Sequence, residues 1–329
     1  MPPLIGYVAS HEQFAPSDLI EYAVTAEKAG FDALWASDHF HPWQDNQGHA
    51  AHAWITLAAI GQRTERLLLG TGITCPIYRY NPAEVAHAFA SLGVLYPDRV
   101  FLGVGTGEAL NEVAAGGGWG PYRERAERLA EAITLIRRLW TEDWVSFEGR
   151  YYRLASAKLY DKPVRPLPIY VAGAGPRSAR LAGQHGDGWI TDPFTLTGRK
   201  DVVQAFEEGA HAAGKDPTAM PRLAEPFVFV GGREEAQEVA RLWLYHTIPD
   251  KVLDMYDPRQ IQRYSEEHST TEREMEQWVI SADPQVHLDA IKRLVDAGAT
   301  HVFVHSAQRD QRLLIDFYGR EVLPALRRL

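Results

Sequence analysis

Cysteine is nearly absent: Cys75 is the one thiol in 329 residues. No intramolecular disulfide and no cysteine-rich zinc site can form, and the chain suits a reducing cytoplasm. Positive charge is also short, with 34 Lys and Arg against 43 Asp and Glu, for a formal charge of −9. Nucleic acids and anionic membranes are held by basic fields, so neither is expected as a partner. No window offers the roughly eighteen apolar residues of a membrane helix. The opening MPPLIGYVAS lacks the basic and apolar regions of a secretion signal, so a cytosolic location is expected. Repeats, linkers and low-complexity tracts are missing too, and the ordinary 45% hydrophobic and 23% charged fractions fit one globular domain over residues 1–329.

What is present is alternation. Short apolar, β-rich runs recur at Leu4–Ala9, Ala33–Ser37, Leu67–Ile73, Val100–Thr106, Ile169–Gly173, Gly188–Thr191, Phe227–Val230 and His301–His305. Amphipathic helical patterns separate most of them, as in Pro16 to Ala29 and Tyr122 to Trp140, and Pro16-Ser17-Asp18, Asn81-Pro82 and Gly175-Pro176 read as helix starts. Strand and helix alternating eight times, with strands apolar on both faces, predicts an α/β fold of the (β/α)8 TIM-barrel type; a doubly wound sheet is the runner-up. Residues 141–167 and 233–280 exceed ordinary connections and are expected to be insertions walling a pocket at the C-terminal face.

In a parallel barrel the strand C-termini open on one face, where catalytic groups collect. The residues just past the strands are His11 and Glu12; Asp38, His39, His41 and Trp43; Gly72-Ile73-Thr74-Cys75; Thr106-Gly107-Glu108 and Asn111; Gly173-Ala174-Gly175-Pro176-Arg177-Ser178; Thr191-Asp192; and His305. Gly173 to Pro176 makes a bare turn before a helix, suited to a phosphate. Leu102 to Gly107 lets a planar ring approach a strand closely. Neither matches a Rossmann fingerprint or a P-loop.

His39-Phe40-His41 has the H-x-H form of a barrel metal site, but later strand ends lack further imidazoles, so metal chemistry is a minor alternative and no metal is expected. His49 and His52 read as loop or helix residues. A dehydrogenase reading fits better. Making a carbonyl from an alcohol requires a base for the hydroxyl proton, and imidazole has the right pKa. His39 is then the base. Asp38 is expected to orient it or hold a cofactor hydroxyl, Trp43 to form an apolar wall, Glu108 to manage a proton on the acceptor side, and Glu12 to hold a substrate hydroxyl.

The stretches Ser10 to Pro16, Ser37-Asp38-His39-Phe40-His41-Pro42-Trp43, Arg79-Tyr80-Asn81-Pro82, Leu95 to Glu112 and Gly186-Asp187-Gly188 closely resemble the coenzyme F420-dependent glucose-6-phosphate dehydrogenases, a branch of the bacterial luciferase-like superfamily. The resemblance implies a TIM-barrel homodimer with the deazaflavin in its mouth and a non-prolyl cis peptide near Gly72-Ile73. By position, Asp38, Gly72, Ile73, Cys75, Thr106, Gly107, Asn111, Ala174, Gly175, Arg177 and Ser178 line the cofactor. His39 matches the catalytic histidine, Glu108 the acid serving the deazaflavin, and Trp43 and Glu12 pocket residues. The implied reaction moves hydride from a sugar anomeric carbon to C5 of the deazaflavin, giving a lactone.

The phosphate anchor departs from the family. Where its members place a threonine and a lysine after strand six, Asp192 and Thr195 stand here; the later lysine and arginine align with Arg263 and Gln277. Asp192 repels a phosphate dianion by roughly 1 kcal/mol or more, although Arg199 and Lys200 are close in sequence. Cys75 replaces a threonine. These changes leave an F420-dependent oxidoreductase of another alcohol, non-phosphorylated sugar or hydroxy-lipid as the alternative to a glucose 6-phosphate donor. An FMN-dependent monooxygenase and a deazaflavin-binding protein without turnover are the further readings.

Overall fold

A computed structural model of the chain describes residues 2–328. The strands β1 Leu4–Ala9, β2 Ala33–Ala36, β3 Leu68–Thr71, β4 Leu102–Val104, β5 Ile169–Ala172, β6 Gly188–Thr191, β7 Arg222–Ala224 and β8 His301–Val304 pair in the order β3-β2-β1-β8-β7-β6-β5-β4. All seven pairings are parallel. The ring closes between β3 and β4, where Phe101 N–H donates to Leu69 O and Thr74 N–H to Gly103 O, both at 2.9 Å. The helices α1 Pro16–Ala29, α2 Ala53–Arg63, α3 Pro82–Leu95, α4 Tyr122–Thr141, α5 Pro176–His185, α6 Lys200–Ala212, α7 Pro284–Asp296 and α8 Gln311–Phe317 surround it. This is the TIM barrel that the alternation predicts.

The period of two along each strand divides the apolar residues between two cores. Val8, Ala33, Trp35, Phe101, Ile190, Leu223 and Phe303 fill the barrel, while Ile5, Tyr7, Leu34, Ala36, Val302 and Val304 pack outward with the larger cluster. Trp35 and Phe303 stack at 3.9 Å with an interplanar angle of 4°, and glycines on neighbouring strands make room for such rings. A Cβ on Gly6 would lie 2.3 Å from the Phe303 ring, and one on Gly70 would lie 2.2 Å from Phe101. Helix starts follow from Pro and Asx residues: Asn81 Oδ1 accepts from Ala83 N at 2.9 Å, and Asp283 does the same for Gln285.

One expectation needs correction. The seventh barrel strand is Arg222–Ala224, which pairs with β6 and β8. The more β-prone run Phe227 to Val230 lies above it, where Val228–Phe229 pairs with Val279–Ile280. One parallel bridge, Phe227 with His305, still ties the start of this run to the end of β8. The insertion at 141–167 is fastened to α4, and its Tyr152 hydroxyl donates to Ile77 O in the loop after β3 at 2.9 Å. Its antiparallel strands Val145–Glu148 and Arg153–Ala157 brace the outside of α4, where Glu131 takes the N–H groups of Arg150, Tyr151 and Tyr152 at 2.7–2.9 Å. The insertion at 233–280 reaches the mouth.

Filling the room left for the interior rings should be costly. Gly70→Ala is expected to destabilise the protein by about 1–3 kcal/mol, read as a lowered thermal midpoint.

Candidate active site

The site begins with a buried carboxylate. Glu12, past the end of β1, is 3% exposed. Its Oε2 accepts the hydroxyls of Ser10 and Ser37, each at 2.7 Å, and its Oε1 lies 3.2 Å from His39 Nε2. Burial pushes the Glu12 carboxyl up. The opposing pull of His39, the two serine hydroxyls and the field of His305 wins, holding it below the ordinary glutamate range.

His39, past the end of β2, is gripped from its other side. Asn111 Nδ2 lies 3.1 Å from His39 Nδ1 and donates to Glu108 Oε2 at 3.1 Å. Asn111 Oδ1 accepts the backbone N–H groups of Phe40 at 2.8 Å and His41 at 3.4 Å, which fixes the direction of the amide. Nδ1 is therefore the acceptor in the neutral ring, and Nε2 carries the proton towards Glu12. Four side chains from three strand ends thus form one chain, Glu12–His39–Asn111–Glu108. Trp43 flanks it, 5.7 Å from the imidazole.

Asp38 does not orient His39, contrary to one of its expected roles. Its Oδ1 takes Arg79 Nη2 at 2.9 Å and the Tyr80 hydroxyl at 3.2 Å, and its Oδ2 takes Thr74 Oγ1 at 2.6 Å. These bonds fasten the loop after β3, whose Gly72-Ile73 peptide is cis. Arg79 also bonds buried Glu112 through its backbone N–H at 2.8 Å. With one guanidinium between two carboxylates, burial dominates and Glu112 is pushed up to about 7, Arg79 opposing. Burial and the nearby Glu112 and Glu108 push the Cys75 thiol up, so it is a packing group and not a nucleophile.

Cys75 supports a bare strand end. Gly107 has φ +70°, and a Cβ there would fall 2.4 Å from Cys75 Sγ; Thr106 and Glu108 beside it are partly exposed. Further round, Ala174 and Arg177 are exposed at the N-terminus of α5, where Gly175 N–H donates to Ser178 Oγ at 3.1 Å. The Tyr122 hydroxyl is buried there without a hydrogen bond, in the field of Arg125 and Arg177. A helix N-terminus, two guanidiniums and an unsatisfied hydroxyl suit an anionic oxygen. The residues predicted to hold a deazaflavin and its phosphate therefore fit that group.

Several of the residues expected to hold the donor's phosphate are engaged with one another or with neighbours. Asp192 caps the short helix Pro193–Gly198, accepting Thr195 N at 2.8 Å and Thr195 Oγ1 at 2.5 Å. Arg199 is paired with Asp201 at 2.9 Å, and Lys200, Arg263 and Gln277 are exposed. Among the described residues, no three His, Cys, Asp or Glu side chains form a metal-binding group, and no helix is long and apolar enough to cross a membrane.

Sequence reasoning expected the insertion at 233–280 to wall the pocket but did not single out Tyr245, which makes that wall beside Trp43. Tyr245 stacks on Trp43 at 4.5 Å, and its backbone N–H donates to Gln44 Oε1 at 3.2 Å. Burial, then the field of Glu12, Glu274, Glu225 and Glu108, keeps its phenol protonated. The aromatic density of Trp243-Leu244-Tyr245-His246 was the available signal. Glu225 was missed because the seventh strand was placed beyond it.

Glu112 binds its proton more tightly in the folded state, so its ionisation costs stability. That contribution is full below the ordinary glutamate value of 4.5 and is lost as pH rises to about 7. Thermal midpoints measured from pH 4.5 to 8 should fall less steeply for Glu112→Gln than for the wild type.

Residues 5–301 match the family model for luciferase-like monooxygenases. The chain is 50% identical over 323 residues to the F420-dependent hydroxymycolic acid dehydrogenase of Mycobacterium tuberculosis, covering 98% of this chain and 88% of that protein. It is 41% identical over 335 residues to the F420-dependent glucose-6-phosphate dehydrogenase of Nakamurella multipartita, covering 100% and 98%. The structure of an F420-dependent secondary alcohol dehydrogenase, in complex with an F420-acetone adduct, superposes with a TM-score of 0.93 at 38% identity over 99% of both chains. On the sequence match and the barrel together, the chain belongs to the luciferase-like monooxygenase family.

Proposed function

We propose that the protein is a coenzyme F420-dependent oxidoreductase acting on the CH–OH group of a small-molecule donor, with glucose 6-phosphate, oxidised at its anomeric carbon to the lactone, as the first donor to test. The observation that carries this reading is the Glu12–His39–Asn111–Glu108 chain. Alcohol oxidation by hydride transfer needs a proton acceptor at the donor and a proton-managing group at the acceptor. Here one amide holds both in register. The relatives are named F420-dependent and act on alcohols or sugar phosphate by name, which supports the same cofactor and bond.

The deazaflavin, when bound, supplies C5 as hydride acceptor. Gly72, Ile73, Cys75, Thr106 and Gly107 would line its ring, with Asn111 and Asp38 holding that wall in shape. Ala174, Gly175, Arg177 and Ser178 would take its phosphate. As hydride leaves the donor carbon, the hydroxyl O–H bond breaks as an N–H bond forms at His39 Nδ1, where the donor takes the place of the Asn111 amide, while the Nε2 proton passes to Glu12 Oε1, one hydrogen bond away. Glu108 faces the acceptor side, and its bond to Asn111 couples its charge to the imidazole. Trp43 and Tyr245 offer flat apolar surface and exclude water from the reacting carbon.

A second reading, a donor without phosphate, is favoured by one observation: both Asp192 carboxylate oxygens are spent on capping a helix. With Arg199 held by Asp201, a phosphorylated sugar would be drawn chiefly by Lys200 and Arg263. A sugar donor would place the enzyme in carbohydrate metabolism. The free, buried thiol accords with a cytoplasmic location. We further propose a homodimer, in which a second copy covers the apolar α2–α3 face; there Ile55 is 70% and Leu95 56% exposed.

Reduction of F420, followed with glucose 6-phosphate, free glucose and simple secondary alcohols in parallel, tests the reading. Failure with every donor, together with no binding of F420, would refute it. His39→Ala should lower kcat by about 10²- to 10⁴-fold with cofactor affinity nearly unchanged; near-normal turnover would remove His39 as base.

A further inference from the structure

Around the mouth, β2, β1, β8 and β7 are consecutive in the sheet, and the residues past their ends alternate His39, Glu12, His305, Glu225. The first two form the pair described above. The second two form another: His305 Nδ1 lies 2.8 Å from Glu225 Oε1. Because the carboxylate accepts, Nδ1 carries the proton and Nε2 presents a lone pair.

That Nε2 is buried and has no hydrogen-bond partner in the protein. The ring is fixed by aromatic packing, 4.4 Å from Phe227 and 4.8 Å from Trp243. An unpaired acceptor in such a place is costly unless something donates to it during function. Protonated Glu12 is such a donor, and Glu12 already lies within the field of His305. At the far end, the Glu225 side chain is 33% exposed, whereas that of Glu12 is 4% exposed. Glu12 therefore needs a route by which to discharge.

We propose that His305 and Glu225 form a proton-release pair that empties Glu12 after each hydride transfer. The inference rests on the dehydrogenase reading above. The steps balance without a further reactant. The Glu12 carboxyl O–H bond breaks as an N–H bond forms at His305 Nε2, directly or across one water. The His305 Nδ1–H bond then breaks as Glu225 Oε1 takes that proton, and Glu225 releases it to solvent. Glu12 returns to its carboxylate, and His305 regains its resting tautomer by a proton shift through water, the N–H bond at Nε2 breaking as one forms at Nδ1. His305 acts on the donor only through Glu12, which makes it a positioning and relay residue.

His305→Gln and His305→Phe, the second preserving the aromatic packing, separate relay from structure. The first turnover of F420 reduction should stay within about twofold of wild type, while steady-state kcat falls about tenfold or more at nearly unchanged donor KM. The solvent deuterium isotope effect on kcat should grow and the isotope effect of the donor's C–D bond shrink, and added imidazole should restore kcat. Unchanged kcat overturns the proposal, as does a first turnover slowed as much as kcat with no recovery in imidazole. A readout independent of activity is histidine ¹⁵N NMR of the protein without cofactor. It should show His305 protonated at Nδ1, with a titration midpoint that moves in Glu12→Gln; an unmoved midpoint or the opposite tautomer overturns the relay. If wild type oxidises no alcohol with F420, the dehydrogenase reading fails, and the NMR coupling still decides this inference.

Discussion

Everything at the mouth depends on holding an ionised carboxylate out of water beside an imidazole. Glu12 is 3% exposed, and a buried carboxylate costs several kcal/mol unless donors surround it. Ser10, Ser37 and His39 supply those donors from the ends of β1 and β2. The hydroxyls saturate Oε2 and leave Oε1 for the imidazole alone, so the pair is directional. Asn111 extends it to a third strand end, its amide direction set by two backbone N–H groups. This geometry is therefore a property of the closed barrel and not of any one loop.

Behind this first layer stands a second, with a different task. Asp38, Thr74, Arg79, Tyr80 and Glu112 tie the β3 loop to the β2 and β4 ends. Burial, with Glu108 adding to it and Arg79 opposing, pushes the Glu112 carboxyl up to about 7. The acidic character extends across the mouth, where Tyr245 lies in the field of Glu12, Glu108, Glu225 and Glu274. The cationic character is gathered near the start of α5, with Arg125 and Arg177 about the Tyr122 hydroxyl. Such zoning suits a ligand with an anionic tail and a neutral reacting end.

The two long insertions show how differently similar sequence features are used. Residues 141–167 fold against the outer face of α4 through Glu131. The insertion at 233–280 turns inward, and Gln44 helps to seat it: its Nε2 donates to Arg241 O at 2.9 Å and its Oε1 accepts from Tyr245 N. Through that seat Tyr245 comes to lie on Trp43. Length and aromatic content mark both segments as unusual, and neither property says which way a segment folds.

The barrel, its eightfold alternation and most of its strands were legible in the sequence, because the inner and outer cores impose apolar patterns that survive as local periodicity. The rim residues Glu12, His39, Trp43, Glu108 and Asn111 were legible too, since position after a strand suffices to place a side chain at the mouth. Partnership was not legible. That Glu12 and not Asp38 meets His39, that Asp192 caps a helix, and that His305 finds Glu225 depend on distances between strand ends far apart in the chain. The seventh strand was misplaced for a related reason: three residues paired on both sides need less intrinsic β-propensity than an isolated run. Sequence by itself determined which chemical groups reach the mouth. Only the closed tertiary ring decided which of them touch, because hydrogen bonds act over about 3 Å and no local pattern fixes separations that small.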